Sequence, residues 1–147
     1  MEKQKKKIRD FSWDDYGISK NRHKELKYFC LQYDEKKSQI RYGAAGMKYD
    51  GMPHASEPGS PTEQGCLSNL AIQHDCEMIE QAAIAANPEI YQYIIKSVTY
   101  DLPYEFIEYD ERLGRIPVGK TDFYGYRRLF YYNLHKLKIG DKLSRYS

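Results

Sequence analysis

A chain of 147 residues with 41% hydrophobic and 30% charged side chains fits one ordinary domain with room for a real core. It has no run of 18 or more apolar residues, which excludes a transmembrane helix on sequence grounds. The basic start MEKQKKKIRDF lacks the apolar stretch of a secretory signal, and three cysteines without C-x-x-C spacing point to reduced thiols, so a cytoplasmic setting is expected.

The net charge of +2 hides an uneven distribution. Residues 1–9 sum to +4, residues 10–111 to −9 and residues 112–147 to +7. Basic ends on an acidic body suit a chain that offers one face to a polyanion. Residues 1–12 read as a flexible basic arm in which Lys3, Lys5, Lys6, Lys7 and Arg9 follow a phosphate backbone or simply aid solubility.

A helical body is expected over 13–98. Leu26, Phe29, Cys30, Tyr33, Lys37 and Ile40 keep helical spacing, with Ser19 as N-cap and Gly43 as the stop. The Gly- and Pro-rich stretch 43–60 is expected to be a long loop, either a disordered connector or a binding lid. Ser60-Pro61-Thr62-Glu63 has the form of a capping box and opens a second helix to Ala86. Asn87-Pro88 ends it and starts a third, which buries Ile90, Ile94, Ile95 and Val98.

The last part, 99–147, combines a short helix from Pro103 to Tyr109, a turn through ERLGRIPVG and a long helix from Lys120 to about Lys138. No strand-like alternation is visible, and the fold class expected is all-α. Within this part, GRIPVGKT (114–121) matches the phosphate-binding pattern G-x-x-x-x-G-K-[ST]. That loop needs a buried strand before its first glycine and a parallel sheet around it. EFIEYDERL is too charged for such a strand, so ATP binding through Lys120 is disfavoured.

Helix, glycine-bearing turn and cationic helix together have the layout of a helix-turn-helix. Phe123, Tyr126, Phe130, Leu134 and Leu137 would pack inward. Lys120, Thr121, Tyr124, Arg127, Arg128 and Tyr131, with Arg115 in the turn, are then the candidate DNA contacts. Thr121 and the free N–H groups of the first helical turn suit a DNA phosphate. An aromatic packing helix with solvated arginines is the competing account. Cys66, His74 and Cys76 scatter around one helix, so no metal site is expected, and Asp14/Asp15 and Asp110/Glu111 read as caps and turns. No cofactor is expected, and neither is catalysis.

The C-terminal pattern L-P-Y…I-P-x-G-x-x-x-F-Y-x-x-R-R-x-F-x-Y-x-L resembles the tail of small regulators of Gram-positive phages and prophages, the ArpU/RinA type of late-gene activators. Their helix-turn-helix is similar to region 4 of sigma factors. The block YGISKNRHKELKYFCLQYDEKK resembles proteins of Firmicute phages and mobile elements. The resemblance covers about 60 residues. It implies a non-catalytic transcriptional regulator binding double-stranded DNA, possible as a homodimer. The alternative is a phage protein that inhibits or recruits a host factor such as RNA polymerase through its acidic body and the long loop 43–60.

Overall fold

The structure is a computed structural model that describes residues 6–48 and 60–146, with side chains described for 6–40 and 69–140. It is all-α, with one very short hairpin. A 3-10 turn at Ile8–Asp10 leads to α1 (Lys20–Leu31), α2 (Tyr33–Lys48), α3 (Ser60–Ala86), α4 (Tyr91–Tyr100), α5 (Tyr104–Ile107), β1 (Tyr109–Asp110), β2 (Gly114–Arg115) and α6 (Lys120–Tyr146). The chain divides into two compact units, residues 32–77 and the remainder. The expected single body over 13–98 is therefore divided: residues 13–31 and 78–98 belong with the C-terminal part.

In the smaller unit, α2 runs on past Gly43 to Lys48, because Ala44 and Ala45 favour helix beyond it. The expected stop at Gly43 is thus not observed, and residues 49–59 of the expected loop 43–60 lie outside the described residues. Lys36 pairs with Asp75 at 3.0 Å, tying α2 to α3 within this unit. The expected long first helix breaks into α1 and α2 at Gln32, where no proline or glycine marks the boundary.

The larger unit is built around α6. Phe123, Phe130 and Leu134 are fully buried along one stripe of it, against a core that includes Leu26, Ile79, Ile90, Ile94, Val98 and Ile107. Ser19 caps α1 as expected: its hydroxyl accepts the Arg22 N–H at 3.1 Å. Asn87 also serves as expected, its side-chain oxygen accepting the Glu89 N–H at 2.8 Å. α4 ends at Asp101, a left-handed residue with φ 54, after which the Leu102 N–H returns to the Ser97 carbonyl at 2.9 Å. Asp101 is held there by Lys27 of α1 at 3.3 Å.

Two expectations for the C-terminal part need correction. α5 is a single turn, and residues 108–119 hold an antiparallel hairpin pairing Tyr109 with Arg115 and Asp110 with Gly114. A helix-turn-helix joins its helices through three or four residues, so this connection is not that motif. The hairpin is missed in the sequence because each strand is two residues long, too short for alternation to register. Asp110 closes it: its carboxylate accepts the Arg112 and Leu113 N–H groups at 2.8 and 2.9 Å and pairs with Lys96 at 2.9 Å. The Lys96 ammonium and these two N–H groups lower the Asp110 carboxyl to about 2.

Nor are residues 6–12 a free arm. At Gly125 of α6 a Cβ would stand 2.6 Å from the Ile8 carbonyl oxygen, so the chain crosses the helix with backbone against backbone. Arg9 donates two hydrogen bonds to the Asp122 carboxylate at 2.9 and 3.1 Å. Arg128 donates to the Phe11 and Arg9 carbonyls at 2.8 and 3.1 Å. The N-terminal segment is a strap fixed along α6.

Candidate nucleic-acid interface

Most of the expected DNA-contacting side chains work inside the fold. Tyr131 is 4% exposed, packed edge-on against His23 and Phe130, and burial pushes its hydroxyl well above the usual tyrosine range. A buried ring cannot touch DNA, and the assignment of Tyr131 is corrected. Arg127 donates to the buried Ser97 hydroxyl at 3.2 Å and lies over the Tyr124 ring at 4.7 Å. Tyr124 in turn accepts the Tyr104 N–H at 2.9 Å, stapling α5 to α6. Arg128 holds the strap, as described above.

Lys120, Thr121 and Arg115 are exposed. Lys120 pairs with Glu105, which raises the lysine and lowers the carboxylate from their ordinary values. Arg115 pairs with Glu108 at 3.2 Å and borders an open cleft of about 440 Å³ between Tyr91, Tyr93 and Pro117. The structure brings Lys120 and Thr121 together at the start of α6 and leaves Arg115 in the hairpin. The GRIPVGKT stretch forms β2, a bend and the first turn of α6, with no parallel sheet among the described residues.

Charge separates cleanly within this unit. Residues 78–122 hold eight acidic and four basic side chains. Residues 6–31 and 123–140 hold eleven basic and four acidic ones. The second set is contiguous in space, since the strap lies on α6 and α1 packs on α6 through the Trp13, His23 and Tyr131 rings, 4.1 to 5.8 Å apart. Among the described residues, Lys20, Lys24, Arg127, Arg128 and Lys136 form no ion pair with a carboxylate. These five side chains are spread over α1 and α6, with Arg127 turned to Ser97 and Arg128 to the carbonyls of the strap.

Aromatic rings lie on the same face. Tyr16 stacks on Phe11 with centroids 5.6 Å apart and planes at 21°, and on Tyr132 at 4.9 Å and 27°. All three rings are half-buried. Lys6 stands 5.6 Å from the Phe11 centroid and Lys136 4.6 Å from that of Tyr132. This row of three rings between two ammonium groups is absent from the sequence reading. Tyr132 and Lys136 are four residues apart, a visible helical pair, but Phe11 and Tyr16 join them only through the strap.

Of the three residues weighed as ligands, His74 is exposed, Cys76 is buried, and Cys66 lies outside the residues whose side chains are described. Among the described residues no group of three His, Cys, Asp or Glu side chains could hold a metal. No helix among them is long and apolar enough to cross a membrane. No family model, curated protein or solved structure matches the chain.

Proposed function

We propose that this chain is a non-catalytic DNA-binding protein that meets the phosphate backbone through cations of α1 and α6, beside the strap. A role as a phage or prophage regulator accords with the resemblance of its C-terminal pattern. The observation that carries the reading is that the exposed Lys20, Lys24 and Lys136, and the half-buried Arg127 and Arg128 that bond neutral groups, have no carboxylate counterpart among the described residues, and that Lys136 adjoins the stacked aromatic row. Unneutralised cations on one surface bind polyanions by releasing condensed counterions, and this gives affinity without a sequence code. The start of α6, by contrast, adjoins Glu105 and Asp122, which weakens its claim to a phosphate.

A mobility-shift series in salt tests this. Contact with three or four phosphates predicts that log affinity for duplex DNA falls against log salt with a slope of about −3 to −4. Absence of any shift at low salt, or affinity indifferent to salt, would contradict it.

One observation favours the second reading, an interaction module for a host protein such as RNA polymerase. Phe106 and Tyr109 are 67% and 68% exposed on the acidic side, where large aromatic rings gain nothing from the fold. Changing both to Ser should leave DNA binding intact, and would abolish binding to purified polymerase if that surface is an interface.

A further inference from the structure

The proposed DNA-binding reading leaves open which form of nucleic acid the basic face holds, and the following inference rests on that reading. A phosphate-binding face needs cations alone. This one also carries Phe11, Tyr16 and Tyr132 in a partly exposed stack, and the outer rings are overlaid by lysine ammonium groups. Paired bases within a duplex keep their faces against one another, so such a row has nothing to stack on there. Unpaired bases do offer a face, and aromatic side chains set in a cationic groove are what sequence-tolerant single-strand binding uses.

We propose that the row is a stacking platform for unpaired bases of single-stranded nucleic acid, with the Tyr132 ring beneath Lys136 as its principal site. An exposed ammonium–ring contact is weaker than a base–aromatic stack, so a base displaces Lys136 favourably. The displaced ammonium, with no carboxylate partner among the described residues, is then free to meet the adjoining phosphate. Phe11 beneath Lys6 repeats the arrangement at the other end, although Lys6 is also held by Asp15 at 3.1 Å and is displaced less readily. Arg128 is committed to strap carbonyls. It contributes charge without a direct contact.

The test is anisotropy of a labelled 20-nucleotide oligo-dT against a blunt duplex of the same length, in the same buffer, with the full chain. The single strand should bind at least about tenfold more tightly. Tyr132→Ala should weaken it about five- to a hundredfold, the range that base stacking spans, while Tyr132→Phe keeps the affinity and duplex binding changes little. Photocrosslinking of a 5-iodouracil oligonucleotide to the unaltered protein guards against a folding defect in the variant: the adduct should fall on Tyr132 or Phe11. Equal or tighter duplex binding, with adducts only elsewhere, would overturn the platform while leaving the DNA-binding reading standing. No binding of either form at low salt would overturn both.

Discussion

Gly125 is the residue whose role is most exposed to test. In a free helix, replacing glycine by alanine stabilises by roughly 0.5–1 kcal/mol. Here a methyl group would stand 2.6 Å from the Ile8 carbonyl oxygen, which is backbone and cannot rotate away. Gly125→Ala should therefore destabilise, by about 1–3 kcal/mol in a denaturant titration. A stabilising result would mean that the strap does not lie on α6. Arg127 makes a second residue-scale case. Its role is packing over Tyr124 and bonding to Ser97, so Arg127→Ala should cost about 1–2 kcal/mol of stability. Loss of DNA binding in that variant would then report on the fold, unless its melting curve were unchanged.

Among the elements, the junction of α1 and α6 carries a pH dependence. The His23 imidazole is held below its ordinary value of 6.5, first by burial and then by the Arg127 and Lys27 charges, with Asp101 opposing. His135, on the α6 side of the same contact, is lowered by burial and by Arg22 and Lys138, with Glu25 opposing. A base with a lowered folded value is neutral in the fold and takes up its proton more readily when unfolded. Stability is thus complete above 6.5 and declines as pH falls below it. Thermal melting should show a lower midpoint at pH 5 than at pH 7, and His23→Gln should shrink that difference. A midpoint that rises toward pH 5 would contradict the assignment.

How far these elements could be read in advance follows their length. α3 and α6 announce themselves by long periodicity and by proline and lysine at their starts, and the inward stripe Phe123, Phe130, Leu134 is legible as spacing. Arg127 lies in the same stripe, four residues after Phe123, yet a charge reads as solvated unless its Ser97 partner is known. The hairpin is too short to show a period. The strap is invisible because a contact between residue 8 and residue 125 leaves no local trace beyond one glycine amid aromatics. The candidate interface suffered most, since it depends on that single long-range crossing.

For the molecule as a whole, positive charge summed along the chain and positive charge placed in space fall at different points. Residues 112–147 are basic in sum, which in the sequence directs attention to the start of α6. In space, that start stands beside carboxylates, while Lys20 and Lys24 of α1 and Arg127, Arg128 and Lys136 of α6 pair with none among the described residues. The direct test of this claim compares two triple variants for DNA affinity at 50 mM salt. Lys20→Gln with Lys24→Gln and Lys136→Gln should lower affinity at least about tenfold, as expected for lost phosphate contacts. Arg115→Gln with Lys120→Gln and Thr121→Ala should leave it within about threefold. The reverse pattern would contradict the account and return the interface to the N-terminus of α6.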